Sequence, residues 1–151
     1  MAEELKKPVE DFQTTPLGLW KRAKQFEEAA KVVAEAAGEQ FSPPAYYLWG
    51  HSLELSLKAF LFSCGVPLQE LKRQYGHNLR ALVDGARRHN IERHLYLRAK
   101  EIGEIYVLND EYVAKRFEYH ETEDYTLPPK DRMKRLVERF ILLLEHTVKA
   151  Q

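Results

Sequence analysis

The sequence contains a single cysteine, Cys64, among its 151 residues. A lone cysteine excludes an internal disulfide and a zinc site built on several cysteines, so we interpret Cys64 as a small core residue. Long apolar runs are absent too, and the first twelve residues, MAEELKKPVEDF, lack the apolar stretch of a signal peptide. We therefore expect a cytoplasmic protein that has no membrane partner.

An excess of charge of one sign is also missing, because 23 basic residues balance 23 acidic ones. Without a net positive field, a dedicated sequence-independent DNA-binding protein is disfavoured, although a local basic patch stays open. The sequence has no run of alternating β-branched residues, no repeat and no low-complexity segment. These absences favour a helical protein with one core.

Apolar residues recur at helical spacing along most of the chain. The pattern predicts an all-α, up-and-down bundle of four long helices plus short helices. Residues 1–14 are expected to form a frayed segment and residues 15–151 a single helical domain. The expected boundaries are a start at Thr15-Pro16 and an end at Gly38, a central helix from Ser42 to Gly65, a start at Gly76-His77-Asn78, a break at Leu108-Asn109-Asp110, and a last helix from Lys130 to Lys149.

The central helix carries a stripe of polar side chains on an otherwise apolar surface. Tyr47, His51, Glu54 and Lys58 follow one another at spacings of four, three and four, which places them on one helix face. Burying such groups is costly unless each finds a partner. The rest of the chain must supply those partners, and this demand marks the stripe as a candidate binding site.

Three stretches occur in series around this stripe: GHSLELSLKAFLFSCGV at 50–66, YGHNL at 75–79 and LNDEYVAKRF at 108–117. In this order they resemble the HEPN family, the higher-eukaryote and prokaryote nucleotide-binding domains. The resemblance covers about residues 46–119, and it adds His77, Asn109 and Tyr112 to the candidate binding residues. It implies a homodimer, with RNA, a nucleotide or a nucleotidyltransferase-type protein of a toxin-antitoxin pair as partner.

A second polar ladder forms if a helix begins near Asn109, because Asn109, Tyr112, Arg116 and Tyr119 follow one another at spacings of three, four and three. Arg116 is then a natural bidentate partner for Glu54, and a purely structural ion pair between two helices stays open as the alternative. His77 has its own alternative as a helix-start residue that donates to a backbone carbonyl. His51 could likewise be a satisfied core histidine.

The resemblance also implies a catalytic possibility, since many HEPN proteins are metal-independent ribonucleases in which four to six residues lie between an Arg and a His. Here Arg116 and His120 have three residues between them, which leaves both on one side of a helix. The short spacing, the zero net charge and nearby acidic residues such as Glu118 favour a non-catalytic module that binds a nucleotide, RNA or partner protein. An endoribonuclease that uses Arg116 and His120 is the alternative.

Two other arrangements are set aside. Arg88 with His94, and Arg139 with His146, have the family spacing but lie away from its motif position, so we interpret both as coincidences. A helical metal site is imaginable but lacks a His-Glu-x-x-His signature, so neither a metal nor another cofactor is predicted. Its ligands would be His51, Glu54, His77 and His120.

Overall fold

The computed structural model describes residues 14–114 and 127–149, and within these ranges the chain is all-helical without a strand. The prediction of an all-α protein is confirmed. The six α-helices of this described part are α1 (Pro16–Ala37), α2 (Pro43–Ser63), α3 (Leu68–Glu70), α4 (Leu79–Arg88), α5 (Ala99–Val113) and α6 (Lys130–Lys149). A π-helical turn, Leu71–Tyr75, continues α3, and a 3₁₀ turn, Ile91–Arg93, follows α4. None of the helices in the described ranges has the length and apolar character needed to span a bilayer.

Side-chain caps start the helices where the sequence predicts them. The hydroxyl of Thr15 accepts a hydrogen bond from the backbone N–H of Gly18 at 2.9 Å, and Ser42 caps α2 in the same way through Ala45 at 3.3 Å. Each cap satisfies one of the N–H groups that a helix start leaves without an intrahelical partner. Asn78 caps α4, so that helix starts one residue after the predicted Gly76-His77-Asn78 signal.

Helices α1 and α2 pack as an antiparallel pair. Ser52 donates to the backbone oxygen of Ala23 at 2.7 Å, and the His51 ring lies edge-on to Phe26, further along α1. Later residues of α1 therefore meet earlier residues of α2. Ala23 and Ser52 are fully buried, and their small side chains allow the two backbones to approach closely.

Helix α6 closes the bundle against α1 and α2. The indole N–H of Trp20 donates to the backbone oxygen of Ile141 at 2.8 Å, while Lys31, further along α1, pairs with Glu138 at 2.9 Å. This register makes α6 antiparallel to α1. Helix α2 packs against α1, α4, α5 and α6 and contributes more buried residues than any other described helix, so it is the centre of the fold.

Two expectations from the sequence are wrong. Helix α5 continues through Leu108-Asn109-Asp110 instead of breaking there, because the side chain of Asn109 bonds to α4 and does not recap its own helix. Cys64 is exposed and does not lie in the core. Its helix ends at Ser63, so Cys64 falls beyond the face that α2 buries.

Candidate functional site

The polar stripe of α2 meets its partners at Glu54, whose side chain is only 2% exposed. One carboxylate oxygen accepts from the Tyr112 hydroxyl at 2.8 Å, and the other accepts from the Lys58 ammonium at 2.9 Å. Nδ1 of His77 lies 3.0 Å from both oxygens. We call these four residues, together with His51, the Glu54 cluster.

Three separate elements hold this cluster together. His51, Glu54 and Lys58 lie on α2, His77 precedes the first turn of α4, and Tyr112 lies in the last turn of α5. The side-chain oxygen of Asn109 accepts from the backbone N–H of Leu79 at 2.7 Å, which ties α5 to the start of α4. Asn109 therefore positions two of the elements and has no described bond to the carboxylate.

The hydrogen bonds determine which ring nitrogen carries the proton in His51 and in His77. A carboxylate only accepts, so Nδ1 of His77 must carry the proton that it shares with Glu54. The single hydroxyl proton of Tyr112 goes to Glu54, so this hydroxyl accepts from Nδ1–H of His51 at 3.0 Å. In both rings Nε2 is left for other contacts.

The cluster has a closed side and an open side. Lys58 is 12% exposed with its ammonium on Glu54, and the His51 ring lies between Phe26 and a stacked Tyr47. In contrast, the His77 side chain is 76% exposed. Within the cluster, the imidazole of His77 is thus the group that is open to a ligand, and the exposed ring of Tyr47 borders the cluster through His51 and Tyr112.

The electrostatics of Glu54 follow from this cage of donors. Burial by itself raises the pKa of a carboxyl group, but three neighbours outweigh it: His51, with Nδ1 at 3.7 Å, Lys58, through its charge and hydrogen bond, and His77, through its hydrogen bond. Together they lower the pKa of Glu54 from 4.5 to about 2. The carboxylate is therefore charged across the working pH range, and its charge is satisfied from within the chain.

Gly50 is part of the site, although the polar stripe does not include it. A Cβ atom at this position would lie 2.8 Å from Cδ1 of Tyr112, which is closer than two carbon atoms pack. Because Gly50 has no side chain, the Tyr112 ring can lie against α2 at this position, and its hydroxyl can reach Glu54. A glycine inside a long helix is the signal for such a close approach.

The other predicted site residues have mixed outcomes. The backbone-carbonyl alternative for His77 is wrong, because Nδ1 bonds to Glu54. His51 is a satisfied histidine, since Tyr112 accepts its proton. Arg116 and His120 lie outside the described residues, so the Glu54–Arg116 pair stays a prediction.

The histidines of the two Arg–His pairs that we interpret as coincidences, His94 and His146, contact each other. Nδ1 of His94 lies 2.9 Å from Nε2 of His146, where the segment after the 3₁₀ turn meets α6. Burial, followed by the charges of His146 and Arg93, lowers the pKa of His94. The arginine of the second pair, Arg139, bonds elsewhere, to Glu101 and to the backbone oxygen of Tyr96.

Within the described residues, no three His, Cys, Asp or Glu side chains are grouped so that they could hold a metal ion.

Comparisons with family models, with curated proteins and with solved structures give no match for this chain. The geometry of the Glu54 cluster is therefore the basis for any functional proposal.

We predict that Glu54→Gln reduces the loss of stability in acid. Because the folded pKa lies below the unfolded value of 4.5, the charged carboxylate stabilises the fold above that pH and stops doing so as the pH falls towards 2. In urea unfolding, the free energy of unfolding of the wild type should fall by about 3 kcal/mol more than that of the variant between about pH 5 and pH 2. The exposed Glu28→Gln is the control and should follow the wild type. Equal losses for all three proteins would contradict the prediction.

We also predict that Gly50→Ala is destabilising, by about 1–3 kcal/mol, because the new methyl group displaces the Tyr112 ring. Gly103→Ala is the matched control, since Gly103 also lies inside a helix but a Cβ there meets no atom within 4 Å. That change should stabilise the protein by up to about 1 kcal/mol. Equal free energies of unfolding for the two variants would show that Tyr112 does not need the space above Gly50.

Proposed function

We propose that this chain is a HEPN-like, non-catalytic module that binds a nucleotide or RNA at the open side of the Glu54 cluster. The observation that carries the proposal is the exposed His77 imidazole, which a buried carboxylate holds in one orientation. Because Glu54 fixes the proton on Nδ1, Nε2 faces a ligand without the entropy cost of ordering a free side chain. A phosphate oxygen is a suitable partner once that nitrogen is protonated.

The Tyr47 ring supplies a second kind of contact at the same place. It is exposed, it stacks on His51 at a centroid distance of 6.3 Å, and it lies 5.7 Å from the Tyr112 ring. Nucleobases stack on exposed aromatic rings of this kind. An imidazole that can bind phosphate and a ring that can stack on a base thus border one rigid cluster. This combination suits a nucleotide as ligand better than it suits the surface of a partner protein.

The metal-independent endoribonuclease is the second candidate, and the Glu54–His77 pair is the observation that favours it. A carboxylate that holds Nδ1 of a histidine is a common arrangement for a general acid or base. Arg116 follows Tyr112 by four residues and His120 follows by eight, so both belong to the sequence segment directly after α5. A homodimer and a nucleotidyltransferase-type protein partner are further proposals that follow from the resemblance.

The test is incubation of the purified protein in EDTA with labelled single-stranded and structured RNA, followed by measurements of binding and cleavage. We expect binding without cleavage, and a loss of about tenfold in affinity for His77→Gln, which corresponds to one charge-assisted hydrogen bond. His89→Gln is the control because His89 is also exposed and lies at the far end of α4. Its affinity should equal that of the wild type.

Two further variants, Arg116→Ala and His120→Ala, separate the two candidates. Cleavage that persists in EDTA and disappears in both variants, while they remain folded, would replace the binding module by the ribonuclease. Absence of both binding and cleavage would contradict the proposal of a nucleotide or RNA ligand.

A further inference from the structure

A second charged feature lies away from the Glu54 cluster, where the start of α5 faces α6. Side chains from the two helices border a cleft of about 140 Å³. Five of the eight lining residues are basic and two are acidic, in a chain whose total charge is zero. We call this cleft the basic groove, and its lining is Arg98, Lys100, Glu101, Glu104, Arg132, Arg135, Leu136 and Arg139.

Both carboxylates of the basic groove already have partners. Glu104 pairs with Arg132, and Glu101 pairs with Arg139. The second pair is anchored further, because Arg139 donates to the backbone oxygen of Tyr96 at 2.6 Å. These two ion pairs connect α5 to α6 and hold two guanidinium groups at the wall of the groove.

The other three cations of the groove are Arg98, Lys100 and Arg135. All three are exposed, and none has a carboxylate partner within residues 14–114 and 127–149. Five positive and two negative charges leave the groove with a net charge of +3. Such a concentration of unpaired cations attracts a polyanion even when the whole protein is neutral.

An exposed aromatic residue, Tyr96, lies two positions before Arg98 in the chain. Tyr96 is 67% exposed, and its backbone oxygen accepts from Arg139, so its main chain lies next to one cation of the groove. A basic groove for the backbone beside a ring for a base is the combination by which proteins bind single-stranded nucleic acid. In a duplex the base faces are stacked inside and are not accessible to such a ring.

From these observations we infer that the basic groove binds the phosphodiester backbone of a single-stranded nucleic acid, with a base stacked on Tyr96. The inference uses residues distinct from the Glu54 cluster and does not depend on the function proposed there. The two regions share α5, on which Glu104 and Tyr112 are eight residues apart, or about 12 Å along the helix axis. One short strand could therefore contact both.

The experiment measures the anisotropy of a short labelled RNA without self-complementarity over a range of salt concentrations. The groove variant is the double substitution Arg98→Gln and Arg135→Gln, which breaks none of the described ion pairs. The control is Lys21→Gln with Arg22→Gln, which removes the same charge from exposed positions of α1. We expect at least tenfold weaker binding for the groove variant and a salt slope that is smaller by about 1.4, since each lost phosphate contact lowers it by about 0.7.

Tyr96→Ala tests the stacking contact separately. It should weaken RNA binding roughly tenfold and leave the salt slope unchanged, because a base stack releases no counterions. Inorganic polyphosphate and an RNA duplex are competitors that distinguish the ligand sources, and both should compete less well than the single strand. Equal affinity for the groove variant and the control, no effect of Tyr96→Ala, or preference for polyphosphate or duplex would overturn the inference.

His77→Gln is measured in the same series so that the two proposals can fail separately. If the groove variant weakens binding and His77→Gln does not, the groove is the binding site and the proposal for the Glu54 cluster is wrong. If only His77→Gln weakens binding, the inference about the groove is wrong.

Discussion

The buried carboxylate of Glu54 is the constraint on which the rest of the structure depends. A charged group that is 2% exposed is tolerated only if its oxygens are fully occupied by donors. Here the donors come from three places: Lys58 one turn along α2, His77 before α4, and Tyr112 at the end of α5. Satisfying one charge therefore fixes how three segments of the chain lie around the central helix.

The same requirement produces the features that could bind a ligand. Since Glu54 uses Nδ1 of His77, that ring is held at one edge while its other edge is exposed. Because Lys58 is paired with Glu54, the cluster itself adds little positive charge, whereas Arg98, Lys100 and Arg135 give the basic groove its excess of positive charge. Orientation at one end of α5 and charge at the other are complementary contributions to binding a phosphate-containing ligand.

Local rules explain what the sequence could predict. Thr15 and Ser42 cap their helices because capping depends on a few neighbouring residues, and the polar stripe of α2 follows from helical spacing alone. The failures involve contacts between distant segments. In the sequence alone Asn109 indicates a helix break, but in the fold its side-chain oxygen accepts from the backbone N–H of Leu79. The role of Gly50 likewise depends on a distant residue, since it is the Tyr112 ring that lies against it.

The protonation state of His77 tests the central claim most directly, and nitrogen-15 NMR of the histidine rings measures it at a pH where the imidazoles are neutral. The hydrogen bond to Glu54 requires the proton on Nδ1, so we expect His77 as the Nδ1–H tautomer. The same experiment should find His51 in the same tautomer through Tyr112. If both rings carry the proton on Nε2, or exchange freely between tautomers, then Glu54 does not hold them and the account of the site is wrong.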